Sequence, residues 1–456
     1  MKQIIISLLI CCLFTSILFP QQKQQAVNNK KWTGTSDQKI WGLMTVWAQT
    51  KFAFPHTKRL QELGWDEKVQ EFIPRVLEAE SMDSYYKVLM ELVALLKDSH
   101  TYITPPCGRM IPGYDIPPVE IQVIDDKFFI SRTGESYELI SERIYPGLEI
   151  LEIANVPIRK FFNEKILKYY TRGSKQADEA VLVFYLLYGP KEEKVRLKIK
   201  DTNGGIRTVE LTRNSMGNDS RPFLYRFIEN MFTPTIKSKI LEGGIFYIHI
   251  PNFQNENKQI NLDFEKLIDT LSISKCKGLI VDVRNNLGGS DAIASRIVSC
   301  LIDTPVKSPV NHYFYYVPAN IPWGRESVSW TSRDWEIKPR EGKRYLGPLV
   351  VLTGPATHSS AEDFVIELKQ TGRTIIVGEK TSGGAGGTLA FTLPGGGEFA
   401  LSTFKATYPD GREYMKVGIQ PDVRVKVKLD DIVHGHDNVL ERGIDVINNW
   451  ASFRSK

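Results

Sequence analysis

The chain is 456 residues long, 42% hydrophobic and 24% charged, enough to bury more than one core and form two or three domains. Its 58 Lys and Arg against 53 Asp and Glu leave a net charge of +5. That charge is scattered, without a basic stripe or a phosphate-binding glycine loop, so no nucleic-acid partner is expected. Besides Cys11 and Cys12, only Cys107, Cys276 and Cys300 are present. This odd set has no metal-type spacing, and neither a disulfide framework, a metal site nor a cofactor is expected.

In chain order, Lys2 precedes an apolar run over residues 4–19 and then Pro20-Gln21-Gln22. The run is short for a membrane span and suits a signal peptide over 1–22, so export to a periplasm or the exterior is expected. An uncleaved N-terminal membrane anchor is the competing reading. Ile10 before Cys11 is larger than lipoprotein processing prefers. Residues 23–103 carry helical spacing, with Trp41, Leu43, Trp47 and Phe52, then Phe72, Val76 and Leu77, and a last helix over 82–96. A small helical domain is predicted, with these side chains as core.

Residues 104–215 read as a β-rich domain with strands over 119–123 and 128–131. Its stretch Pro146-Gly-Leu-Glu-Ile-Leu-Glu-Ile-Ala-Asn155 resembles the turn motif of a PDZ-like module, a fold able to add a peptide carboxylate to a sheet edge. A β-rich spacer without a ligand is the plainer reading. Residues 223–456 alternate strands over 245–250, 278–283, 349–352 and 374–377 with helical stretches over 293–302 and 361–369, which predicts an α/β domain. An insertion at 305–344 is read as a loop rich in Tyr and Trp, serving either a substrate cleft or a satellite hydrophobic cluster.

Two segments of this last region carry chemistry. In Thr353-Gly-Pro-Ala-Thr-His-Ser-Ser-Ala-Glu362, an apolar strand feeds small hydroxyl residues into a helix. A serine at such a junction exposes its hydroxyl above free N–H groups and a positive dipole end. Ser359 is thus placed like a nucleophile, and the bland reading is a helix cap. In Asp282-Val-Arg-Asn-Asn-Leu-Gly-Gly289, paired glycines bring bare N–H groups close to a ligand, or simply serve a tight turn.

Together with Val377-Gly-Glu-Lys-Thr-Ser-Gly383 and Gly418-Ile-Gln-Pro-Asp422, these segments resemble, in order, the motifs of the carboxyl-terminal processing (tail-specific) protease family. That family includes the tricorn core protease and the interphotoreceptor retinoid-binding protein, and the motifs span roughly residues 240–446. The resemblance implies a ClpP/crotonase-like α/β catalytic domain, serine-type peptide hydrolysis through an acyl-enzyme, and polypeptide substrates recognised through a C-terminus.

Carried over by motif, the nucleophile falls on Ser359, and Ser360 with Gly288 and Gly289 supplies the oxyanion hole. The processing-peptidase branch uses a lysine just beyond the third motif, where this chain has Gly384. The tricorn-like branch uses a Ser-His segment, matched here by Ser99-His100, and the match is to a secreted bacterial-type member of that branch. His100 is therefore the expected base, with Ser99 as its hydrogen-bonding neighbour and Glu413 as the orienting acid. His358 and Lys380 are rival bases, and Glu362 and Glu379 also fall on family positions. A non-catalytic ligand or peptide carrier on the same fold is the second reading. A crotonase-type acyl-CoA enzyme fits poorly with export.

Overall fold

The computed structural model describes residues 32–108, 111–215, 225–232, 235–254, 259–271 and 276–454. The expected signal peptide 1–22 lies outside them. Among the described residues no helix is long and apolar enough to cross a membrane.

Four helices, α1 (Ser36–Ala53), α2 (Thr57–Leu63), α3 (Trp65–Leu77) and α4 (Met82–Ala94), form the N-terminal unit. The Thr35 side chain caps α1, and Ser81 and Ser84 exchange hydrogen bonds at the head of α4. Leu43, Phe72 and Val76 are core as expected. Trp41 is 69% exposed, however, and Phe52 leaves the core to stack on Tyr316 at 5.4 Å. After α4 the chain turns through Asp98, Ser99 and His100 into the strand β1 (Tyr102–Thr104).

The second unit is an antiparallel sheet of β2 (Val119–Ile124), β3 (Lys127–Thr133), β4 (Glu149–Ile153), β5 (Lys194–Lys200) and β6 (Ile206–Thr212), paired in that order. Val119 and Ile121 of β2, Phe128 and Ile130 of β3 and Ile150 of β4 share its core, and α5 (Lys175–Val181) packs against the edge strand β2. Ala154 and Asn155 take φ of 48° and 64°. Two successive left-handed residues close the tight turn after β4, as a two-residue hairpin demands.

The helix α6 (Arg226–Phe232) leads into the third unit. In chain order it contains β7 (Lys237–Leu241), β8 (Ile245–His249), α7 (Gln259–Leu271), β9 (Gly278–Asp282) and α8 (Asp291–Ser299). It continues with β10 (Val310–Tyr316), β11 (Val328–Arg333), β12 (Leu349–Thr353), α9 (Ser360–Lys369) and β13 (Thr374–Gly378). The last elements needed are β14 (Thr388–Thr392), β15 (Glu398–Ser402), β16 (Phe404–Thr407), β17 (Val423–Arg424) and α10 (Asn438–Asn448).

The main sheet runs β7-β8-β9-β12-β13-β17, parallel from β8 onward. Every residue of β9, β12 and β13 is buried. Strands covered on both faces read as unbroken apolar runs, and that is why they are legible in the sequence. Phe264, Ile297 and Phe364 bring α7, α8 and α9 onto one face, while Val446 and Ile447 bring α10 onto the other.

Two features differ from expectation. The 305–344 insertion is not a loop, because β10 and β11 pair with β16 in the order β11-β10-β16. Its aromatics pack across these strands, with Phe314 against Trp330 and Tyr313 against Phe404, both at 5.3 Å. The helical unit is also not closed on itself: β1 pairs with β15, and the core of the four helices continues into Leu393, Phe399 and Leu401. That pairing ties the turn at His100 to the third unit.

Candidate active site

The strand β12 ends at Thr353, and the chain turns through Thr357, whose hydroxyl donates to Val283 O and accepts from Gly354 N. Ser359 then takes φ 57° and ψ −132°, a region that costs a non-glycine residue free energy of order 1–3 kcal/mol. Its amide donates to Gly384 O and its carbonyl accepts from Glu362 N. The hydroxyl makes no cap bond to α9; it lies 3.1 Å from His100 Nε2. The capping explanation of Ser359 therefore falls.

His100 arrives from the turn after α4. Asp98, 3% exposed, accepts from the His100 amide at 3.0 Å and from the Thr101 hydroxyl at 2.8 Å, and its other oxygen is 3.4 Å from His56 Nε2. Burial alone would raise the Asp98 carboxyl, but His56, His100 and Thr101 together hold it below the usual range. His100 Nδ1 lies 3.1 Å from Ser99 Oγ. For Nε2 to accept from Ser359, the ring proton sits on Nδ1 and is donated to Ser99. Burial, with Arg172 acting in the same direction and Asp98 against it, pushes the imidazole down to about 4, so it is neutral near pH 7.

The His358 imidazole does not hydrogen-bond the Ser359 hydroxyl. Its ring stacks on His100 with centroids 4.8 Å apart and planes at 23°, and its Nδ1 is 3.0 Å from Ser382 Oγ and 3.9 Å from Glu362 Oε2. Burial first, then Arg172 and His100, keep it well below the ordinary histidine value. Gly384, where the motif resemblance led to the expectation of a lysine, makes room for this stack. A Cβ there would stand 1.9 Å from His358 Cε1 and 2.5 Å from Ser99 Oγ, so this imidazole and hydroxyl fill the space a side chain would need.

Behind the loop that carries Gly384, Glu362 is fully buried and accepts from the Thr381 hydroxyl and from Gly383 N and Gly384 N, both at 2.8 Å. Burial pushes its carboxyl up to about 7 despite these bonds. Glu362 is thus a loop anchor as well as the first-turn acid of α9. The clue in the sequence is its spacing of three from Ser359; the loop it grips, 19 to 22 residues on, leaves no local mark.

The amides expected to form an oxyanion hole are not alike. Ser360 N, at the first position of α9, and Gly289 N have no acceptor among the described residues. Gly288 N instead donates to Asn286 Oδ1 at 2.8 Å, which corrects the expectation that both glycines offer free amides. Gly288 contributes closeness: at φ +93° a Cβ would stand 2.7 Å from Ser359 Cβ and from His358 O. Glu413 is a second correction. It is exposed, bridges Thr407 and makes no hydrogen bond or ion pair with His100. Lys380 and Glu379 line a cleft of about 890 Å³ between β2, α5 and the ends of the main sheet, whose lining does not include Ser359.

Residues 244–425, which hold Ser359, Ser360, Gly288 and Gly289, match Peptidase family S41. That match covers about two fifths of the chain, and over it the chain is similar to the family. The C-terminal processing peptidase of the chloroplast of Tetradesmus obliquus is 23% identical over 242 residues, 53% of this chain and 48% of that one. Carboxy-terminal processing protease CtpA of Bacillus subtilis is 25% identical over 267 residues, 58% and 49% of the two chains. The chain thus spans about half the length of these relatives. Among solved structures, mature CPAF complexed with lactacystin superposes with a TM-score of 0.70 over 92% of this chain and 99% of that one, at 18% identity. The likeness is of fold: the mixed α/β unit, the β-rich unit and the N-terminal helices all belong to it.

Proposed function

We propose that this chain is a serine endopeptidase acting on exported polypeptides, with Ser359 as nucleophile and His100 as base. The observation that carries the reading is the 3.1 Å contact from Ser359 Oγ to His100 Nε2, made by a serine held in a strained conformation and freed from capping. Ser359 attacks the scissile carbonyl as Nε2 takes its proton. Ser99 holds the imidazole by Nδ1, and the amides of Ser360 and Gly289 receive the oxyanion. The proton then passes to the leaving amine, and water releases the acyl group by the same route in reverse.

Substrates are polypeptides, with the edge of β2 in the β-rich, PDZ-like unit as the surface for an extended segment. The amide of Ile121 on that edge already donates to Tyr225 Oη at 3.1 Å, so a docked strand would pair beyond it, from Gln122 onward.

The test is hydrolysis of an unfolded protein by the chain without residues 1–22, beside its Ser359→Ala variant, with intact-mass detection of fluorophosphonate labelling. Cleavage and single labelling, both lost in the variant, are expected. Neither activity in the unsubstituted protein would overturn the reading and favour a ligand carrier on the same fold.

A further inference from the structure

The loop Thr381-Ser-Gly-Gly384 delivers Gly384 O to the Ser359 amide and Ser382 Oγ to His358 Nδ1, and it is gripped from two sides. Glu362 holds it from within the third unit. The other grip comes from the β-rich unit. Ser174, the N-cap of α5, accepts from Ala177 N at 3.4 Å and donates its hydroxyl to Ser382 O at 2.6 Å. Gln176 Nε2 reaches Thr381 O at 3.2 Å, Ser382 O at 3.4 Å and Val417 O at 3.1 Å. None of these three carbonyls accepts from a backbone amide among the described residues, so α5 supplies the partners that an extended loop lacks. The turn before α5 also packs on the base: a Cβ at Gly173 would lie 3.4 Å from Lys97 O and 3.5 Å from Ser99 N.

We infer that Ser174 and Gln176 are positioning residues for the active site, so that the β-rich unit is a fixed part of the catalytic framework. They fix the main chain at Ser382, whose hydroxyl holds His358, whose ring backs His100 against Ser359. The inference rests on the peptidase reading above. Loosening this grip lets the base drift from Ser359 Oγ without altering how a substrate binds, so it lowers kcat and leaves KM.

The experiment measures the rate of fluorophosphonate labelling and the kinetics of polypeptide cleavage for the wild type, Ser174→Asp, Ser174→Thr, Gln176→Leu and Lys175→Ala, with thermal melting as a check on folding. Aspartate keeps the cap acceptor but has no proton for Ser382 O, whereas threonine keeps both functions. Labelling rate and kcat are expected to fall about tenfold in Ser174→Asp and Gln176→Leu with KM within about twofold. Ser174→Thr and Lys175→Ala, whose ammonium pairs with Asp126, stay at wild-type rates. Wild-type labelling in either folded loss variant, or a change in KM alone, overturns the inference; should one variant not fold, the other decides. A wild-type protein that is never labelled sinks the peptidase reading itself, and the two failures are told apart in that one lane.

Discussion

The Ser359 side and the His100 side of this candidate site are built by different means. The corner at Ser359 is local: a buried strand, a six-residue turn and a helix place the hydroxyl, and Glu362 grips the neighbouring loop from the first turn of the same helix. The turn at His100 is tertiary. It is fixed by Asp98 below, by β1 pairing with β15, and by a histidine from the other side of the site stacking on its ring. A site assembled this way tolerates little movement on the base side, because no single element carries both partners.

Removing the proposed base breaks the comparison most. His100→Ala is expected to lower kcat by about 10³-fold with KM nearly unchanged, since general-base transfer contributes about 10²–10⁴-fold; activity within about threefold of wild type would show that another group takes the proton. The same imidazole sets the acid limb. With its value pushed down to about 4, the labelling rate should hold its plateau on acidification past pH 6 and fall only near pH 4. A limb near 6.5 would mean that His100 is solvated and not packed as described.

Gly384→Ala sharpens the comparison from the loop side. Its Cβ would overlap His358 and Ser99 Oγ, so the rings that back the base must shift, and a loss of about 10–100-fold in kcat is expected. Wild-type kinetics in this variant would mean that the stacked arrangement is dispensable.

These partners explain what the sequence could and could not reveal. Ser359, Ser360 and the glycine pair were legible because strand-to-helix junctions have local signatures of apolar runs, small residues and glycine. Ser99 and His100 were legible only through the missing lysine at Gly384 and a motif match about 260 residues upstream of the nucleophile. The stacking of His358 on His100 was not legible, because the direction a side chain takes from a strained turn leaves no pattern. The 305–344 strands were missed for a different reason: the successive aromatics Tyr313, Phe314, Tyr315 and Tyr316 obscure the period-two alternation that marks a half-buried strand.

Stability should carry the imprint of the buried acids. Burial pushes Glu362 up to about 7 and Glu367 up to about 8, both above the ordinary glutamate value of 4.5. A raised acid favours the folded state when protonated, so this contribution is full below about pH 4.5 and is lost as pH rises through 7 to 8, on the order of 3 kcal/mol for Glu362. The two histidines act oppositely. Both are held low, so the stability they give is present above about 6.5 and is lost as pH falls below it, for His100 down to about 4. The thermal midpoint should therefore rise as pH is lowered from about 8.5 to 6.5 and fall again toward 4. Glu367→Gln, which also sits beside Ser295, should flatten the alkaline arm; a midpoint that rises steadily up to pH 8.5 would show that these acids are solvated.

The smallest effect is expected where the sequence pointed to an acid that the fold does not use. Glu413 is exposed on a bridge to Thr407 and touches no member of the site, while Ser99 occupies His100 Nδ1. A carboxylate acts on a catalytic imidazole only within bonding reach, because across solvent its charge is screened. Glu413→Gln should therefore leave kcat and KM within about twofold of wild type, whereas Ser99→Ala, which takes the partner from Nδ1, should cost kcat at least about tenfold. Were the ranks reversed, the turn carrying Glu413 would have to swing toward His100 when substrate binds, and the base side of the site would be assembled only in the complex.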